Sequence, residues 1–351
     1  MKKIVFFLIL TMIIGTSSCN NGIIFEDDIS LSDTTNLPGT SIADMVIDNN
    51  HAFYFITSEM DTEAYAKLPL CSNYIPFKSY LSKKTEETGN IEILIDRYGG
   101  GKLYFDKNHN QLLSFTSQAI YKFDGKSFNK IIEFPDLTGT VDFIAVDKNN
   151  NIWAGGSQTG LYKIDAKLNI TRYLVNNSKL PTNSLTAIHI DESNNIWIAL
   201  WDNHGILKIT NDQWIIFSLN NSDITPQNIW CLVTDEKGNL WAGSGWDNEN
   251  QSLIRFNGER WEIVNPRNEK NEIVTGTVRH LQSDGHKLYV VSEKVKNLAF
   301  YSNELLTFDG VKWDKVHDIP DDEPIGDLIV DNYRQAVWIW TINNGIYKKP
   351  F

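Results

Sequence analysis

Basic side chains are the scarce class in this chain. Its 351 residues carry 32 Lys and Arg against 44 Asp and Glu, a formal net charge of −12. No patch or stripe gathers the cations, and an acidic surface repels phosphate backbones, which argues against a nucleic-acid partner. Cysteine is scarcer still: Cys19, Cys71 and Cys231. Long apolar runs are limited to one, Ile4 to Ile14 (IVFFLILTMII), and eleven residues fall short of the roughly 20 that span a bilayer. Signatures of chemistry are missing as well. There is no nucleophile elbow, no H-E-x-x-H and no Cys/His metal pair, so no catalytic residue, metal site or cofactor is assigned. Gly99-Gly100-Gly101 is not a phosphate loop, because no Lys-Ser/Thr opens a helix after it.

The one apolar run follows Lys2 and Lys3 and precedes the small residues GTSSC, ending at Cys19. A positive n-region, a short apolar core and small residues at the exit form a secretory leader over residues 1–18. TSSC resembles the lipobox of bacterial lipoproteins, with Thr16 where that motif usually has Leu. The resemblance implies a lipidated Cys19, a tether over residues 19–22 and attachment to the cell envelope through lipid. Asn20 in place of Asp implies the outer membrane. Beyond the leader only Cys71 and Cys231 remain. They stand far apart in the repeat described next, so both are read as buried small hydrophobes and not as a disulfide.

What the chain has in abundance is one phrase. IAVDKNNNIWAGG from Ile144, IHIDESNNIWIALW from Ile188 and LVTDEKGNLWAGSGW from Leu232 stand 44 residues apart. Aligned on the turn aspartate, the copies are Asp48, Asp106, Asp147, Asp191, Asp235, Asp284 and Asp331. A period in the forties made of short β-branched and aromatic runs, broken by Asn, Asp and Gly, indicates propeller blades and not helical repeats. In the copy from Leu185, LTAIHI is the inner strand, DESNN a tight turn, IWIAL the second strand, WDNHG a loop, ILKIT the third strand and QWIIFSL the outer one. Asn257-Gly258, Asp124-Gly125 and Asp309-Gly310 mark hairpins between third and fourth strands.

The expected fold is therefore all-β: a seven-bladed β-propeller of four-stranded antiparallel blades over residues 23–351. Blade one is the weakest copy, with an insertion around EMDTEAYAKLPLCSNY and an outer strand at NIEILID. The last blade offers three strands before Phe351, and GIIFEDDIS near the start supplies a spare. Ile23 to Ile29 is expected to pair onto the final blade and close the ring, removing two exposed edges.

The pattern D-x-x-x-N-[IL]-W, followed by Gly, resembles the two-component-regulator propeller repeat. It is carried by Asp147, Asn151, Trp153 and Gly160; by Asp191, Asn195, Trp197 and Gly205; by Asp235, Asn239, Trp241 and Gly243; and more loosely by Asp331, Trp338 and Gly345. The resemblance implies a kinship with periplasmic sensor propellers of hybrid two-component systems, which often respond to glycans. This chain differs in having one ring and no kinase or DNA-binding domain.

Within the repeat, Trp153, Trp197, Trp241 and Trp338 recur at one position and are read as packing between blades. The turns DKNNN and DESNN resemble the start of a calcium loop, but position twelve is Gln158 or Trp246, and only Asp202 is acidic there, so metal is rejected. The informative positions repeat in place and vary in type. Five residues before each turn Asp stand Ala43, Gly101, Asp142, Thr186, Trp230, Arg279 and Gly326; one further on stand Asp44, Lys102, Phe143, Ala187, Cys231, His280 and Asp327. These open the inner strands at the mouth of the central channel. The loops WDNHG and WDNEN open on the same face. The expected ligand site is accordingly Trp201, Trp230 and Trp246 with Asp142, Asp202, Asp247 and Arg279, aromatic planes beside polar groups of the kind that suit sugar rings. His280, His286 and His317, with Glu272 and Glu293, lie in blade six at a spacing that diagnoses nothing, and are read as solvated.

Two function classes stay open. One is an envelope-anchored binding or interaction module for a glycan, a peptide or a protein partner. The other is an extracytoplasmic lyase or hydrolase on the same scaffold.

Overall fold

The computed structural model describes residues 24–26, 41–65, 77–85, 91–96, 98–99, 101–135, 138–218, 222, 228–245, 252–268, 270–274, 276–296, 300–316, 325–341 and 345–351. The leader, Cys19 and the tether lie outside the described residues, as do Cys71, Trp246, Asp247 and His317. Seven four-stranded sheets form a ring. Their inner strands are Ser41–Ile47, Lys102–Asp106, Thr140–Val146, Leu185–Ile190, Ile229–Thr234, Thr277–Ser283 and Ile325–Asp331.

The repeated phrase is a hydrogen-bonded unit. Asp147 Oδ1 accepts the N–H groups of Asn149 and Asn151, and Oδ2 accepts the Asn151 amide and Trp153 Nε1 at 3.0 Å. Asp191 and Asp235 repeat the set, with Trp197 and Trp241 each donating at 2.9 Å. Trp338 donates to Asp331 at 3.3 Å. Asn150, Asn194 and Gly238 take the left-handed conformation that these turns need, at φ of 60°, 62° and 76°. On the third strand, directly opposite each indole, stands Lys163, Lys208, Arg255 or Lys348. Their charges lie 4.7 to 5.4 Å from the ring centroids, a favourable cation–π geometry.

These tryptophans pack between blades, as the repeat implies. Trp153 joins the apolar cluster of blade four, Trp197 that of blade five, Trp241 that of blade six and Trp338 that of blade one. The remaining clusters lie between blades one and two, two and three, and six and seven. On the face away from the channel mouth, every seam is crossed by at least one hydrogen bond among the described residues. Asn49 reaches Lys107, Gln111 reaches Asn150, Lys148 reaches Asn194, His189 meets Thr234, Glu236 bonds Gly285, Asn332 bonds Asp284, and Arg334 bonds His51.

The last of these bears on closure. The expected closing strand is present as Ile24–Glu26 on Gly345–Tyr347, but it pairs in parallel. Parallel pairing is only slightly weaker per residue, so a three-residue ladder carries little directional information. The seam between blades seven and one has further support. Arg334 bonds Asp331 Oδ2 and the His51 carbonyl, both at 2.6 Å, and lies 4.6 Å over the Phe53 ring. Tyr333 stacks on His51 with centroids 3.7 Å apart.

Blades one and six are taller than the rest. Their second and third strands, Phe53–Met60 with Phe77–Lys84 and Leu288–Lys296 with Phe300–Phe308, are eight and nine residues long. Both hairpins rise from the channel-mouth face on either side of blade seven.

If the Asp–Trp bond supports the blade, Asp147→Ala is to cost about 3 kcal/mol, since it strands a buried indole N–H and dissolves the turn. Asp165 builds a similar turn from Lys167 and Asn169 with no indole donor, facing solvent. Urea denaturation of Asp147→Ala and Asp165→Ala should show the larger loss in the first; equal losses would remove the tryptophan from the account.

Candidate functional site

In six blades the residue five before the turn Asp is the extra residue of a β-bulge. The register skips Ala43, Asp142, Thr186, Trp230, Arg279 and Gly326. A bulge bends the strand and re-aims a side chain, so the first of the two variable positions is one the backbone singles out. In blade two the equivalent Gly101 stands just ahead of the strand at φ 124°, where a Cβ would lie 2.8 Å from the Phe115 carbonyl. Bulged Gly326 is required for a different reason: a Cβ there would meet the Trp340 ring at 2.5 Å.

Several of these positions tie blade to blade. Thr186 Oγ1 donates to the Ile229 carbonyl at 2.5 Å, and Lys102 Nζ to the Asp142 carbonyl at 3.2 Å. Asp44 accepts Leu103 N–H at 2.7 Å and Met45 N–H at 2.9 Å. The Cys231 thiol, free and half-buried, lies 3.6 Å from the Val278 carbonyl, and burial pushes its pKa up.

Of the seven residues expected at the site, three are brought together. Trp201 from the blade-four loop meets Trp230 edge-on, with centroids 5.6 Å apart and planes at 70°. Trp230 is anchored by its Nε1, which donates to the Gly245 carbonyl at 2.9 Å. The Arg279 guanidinium lies over the Trp230 ring at 4.7 Å, and its Nε lies 3.0 Å from Glu293 Oε2 in an ion pair. Asp142 does not join them: its Oδ2 is taken by Ser157 N–H and the Thr140 hydroxyl on its own blade. Asp202 faces solvent at φ 60° in its loop. Trp246 and Asp247 lie outside the described residues.

The structure adds a group that sequence spacing does not reveal. His280 is not solvated. Its Nδ1 lies 3.0 Å from Asp327 Oδ1 and its Nε2 4.0 Å from Glu293 Oε1. Burial alone would lower the His280 pKa, but Asp327 and Glu293 outweigh it and the net direction is upward. Glu293 is raised by burial, with His280 and Arg279 opposing. Asp44 is pushed up to about 7, chiefly by burial and with a contribution from Asp327. His286, on the opposite face, remains exposed beside Glu236. A signal for His280 existed, since it and Asp327 occupy the same repeat position in adjacent blades. Glu293 had none, because it sits on the lengthened second strand opposite Thr277.

Below this mouth a cavity of about 490 Å³ follows the inner strands, from Asp44 and Asp327 to His51, Lys107 and Tyr333 at the other face. Among the described residues no group of three or more His, Cys, Asp or Glu is placed to hold a metal ion, and no helix is long and apolar enough to cross a membrane. The raised Asp44 has a consequence for stability. The folded state holds its proton between the ordinary value of 3.8 and about 7. The stability this confers is full below pH 4 and lost as pH rises through 7. Urea denaturation should find the protein weaker at pH 8 than at pH 5, with a flatter dependence in Asp44→Asn; a parallel dependence in the variant would assign the slope to other groups.

The two component regulator propeller family matches residues 223–246, the stretch that leads into and includes the Asp235 phrase. No curated protein matches the chain in sequence. Solved structures share its fold. The extracellular domain of the putative one component system BT4673 from B. thetaiotaomicron is 18% identical at a TM-score of 0.60, covering 94% of this chain and 42% of its own. A catalytically inactive virginiamycin B lyase from Staphylococcus aureus with quinupristin is 11% identical at 0.61, covering 89% and 96%. YCF48 bound to D1 peptide is 12% identical at 0.57, covering 90% and 94%. The chain thus spans about two fifths of the length of the BT4673 domain and nearly all of the other two chains. At these identities the similarity is one of fold, shared with an extracellular domain of a putative one component system and with a lyase.

Proposed function

We propose that this protein is an extracytoplasmic, lipid-anchored binding module whose ligand, a glycan, sits over the channel mouth beside Trp201 and Trp230. The meeting of these two indoles across the seam of blades four and five carries the reading. Trp230 is fixed by Gly245 and covered by Arg279. Trp201, half-buried at the loop, supplies the ring against which an apolar sugar face stacks, and the polar groups around the mouth meet its hydroxyls. Asp202, exposed on the Trp201 loop, extends the same surface in this reading. The fold shared with an extracellular domain of a putative one component system and with YCF48 bound to D1 peptide supports a binding role.

Loss of one stacking ring should cost about 1–3 kcal/mol, roughly ten- to a hundredfold in affinity. The purified ring is to be titrated with a glycan panel by tryptophan fluorescence, comparing Trp201→Ala with Trp214→Ala on the outer strand. Equal affinity in the two variants would dismiss the platform, and absence of any glycan binding would turn the reading toward a protein partner. The Asp327–His280–Glu293 group favours a second reading, a lyase or hydrolase on the same mouth, since a buried histidine between two carboxylates can hold and pass a proton. Turnover of a panel member, seen by mass spectrometry and lost in His280→Ala, would establish it.

The anchor rests on the leader and on Thr16 to Cys19. Cells fed alkyne-palmitate should label the wild-type protein and not Cys19→Ser; equal labelling would sink the lipoprotein assignment.

A further inference from the structure

The mouth of an acidic ring holds one arginine in an unusual posture. Arg279 occupies a bulge, so its side chain leaves the regular alternation of the inner strand. Two contacts then fix it. Trp230 of blade five supports its planar face at 4.7 Å, and Glu293 of its own blade pairs with its charge, Oε2 lying 3.0 Å from Nε. Glu293 is itself buried and shared with His280, so it does not swing freely. The guanidinium is oriented by face and by Nε, and its outer edge, Nη1 and Nη2, is taken by no other group among the described residues. The side chain remains 42% exposed.

Other arginines contrast with it. Arg334 commits Nη1 to Asp331 and Nη2 to the His51 carbonyl, which makes it a seam tie. Arg255 covers Trp241 much as Arg279 covers Trp230, but its Nη2 is spent on Glu262. An arginine placed only to pack needs no open fork. A guanidinium held on an aromatic face with two parallel N–H groups outward matches the planar, two-oxygen geometry of a carboxylate. Beyond Glu293, which sits at the Nε side, the neighbouring carboxylates are engaged elsewhere or partly protonated. Asp327 is engaged by His280 at 3.0 Å, and burial with a pKa of about 7 leaves Asp44 only partly ionised near neutrality.

We infer that the glycan bound at this mouth is an acidic one, a uronate whose carboxylate is received by the open edge of Arg279 while the sugar ring lies beside Trp201. The inference rests on the glycan reading above and names its chemical class. Arg279 is then the specificity-determining residue, and Trp230 and Glu293 are positioning residues acting through it.

The test compares the same sugar chain with and without its charge. Uronate oligosaccharides of several linkages and their methyl esters are titrated calorimetrically into the wild-type protein, so the central comparison needs no variant. The acid should bind at least tenfold more tightly than its ester, and raised salt should narrow the gap. Arg279→Gln should bind acid and ester alike. Arg279→Lys, which keeps the charge and loses the fork, should recover only part of the preference. Melting temperatures of both variants separate a binding loss from an unfolded one. If the ester binds as tightly as the acid, or if Arg279→Gln keeps the preference, the uronate inference is overturned while the glycan reading stands. If neutral and acidic glycans all fail to bind, both fall together.

Discussion

The bond from a turn carboxylate to a tryptophan indole supports most of the ring. One aspartate closes the turn through two backbone N–H groups, and its second oxygen holds the indole that fills the gap to the next blade. A blade cannot bury both faces alone, so each depends on what its neighbour inserts. The apolar clusters accordingly lie between blades, one per seam. Where the tryptophan is missing the carboxylate finds other donors: Asp106 takes His109 and Gln111, and Asp284 takes the Tyr289 hydroxyl. The local turn and the global packing thus share one side chain, which explains why the phrase recurs so faithfully in the middle blades.

This coupling made the fold legible in the sequence. A turn motif that must also place an indole leaves few substitutions, so Asp, Asn and Trp recur in register and the blades can be counted. The closing strand was legible as a spare segment. Its parallel direction was not, because Ile24, Phe25 and Glu26 form too short a ladder to encode one. Arg334 was equally silent, since its partners are Asp331 three residues away and His51 at the far end of the chain. Periodicity reports what every blade does and is blind to what one seam does.

The candidate site was half legible for the same reason. Alignment on the turn aspartate located the variable positions, and the bulges explain why the first of each pair varies: an extra residue has no cross-strand partner to constrain its type. Alignment could not separate positions that stitch blades from positions that face a ligand. Thr186 and Lys102 serve the seams, and Asp142 folds back because Gly156 leaves room, a Cβ there lying 2.6 Å from the Asp142 carboxylate. Glu293 escaped because it stands on an insertion, and with it went the reason for His280 to be buried.

The insertions break the symmetry of the ring. Equal blades would present an equivalent mouth all round, with no preferred place for a ligand. The tall hairpins of blades one and six flank blade seven, and between them stand Asp44, Asp327, His280 and Glu293. Trp201, Trp230 and Arg279 border that sector through the Arg279–Glu293 contact. Aromatic surface, open guanidinium edge and proton-holding carboxylates therefore run continuously from blade four to blade one, while blades two and three contribute Lys102 and Asp142 to one another. A ligand bound across such a mouth would meet chemistry on one side only. The same continuity means that Glu293 links the two halves of the sector: it pairs with Arg279 on one side and shares His280 with Asp327 on the other.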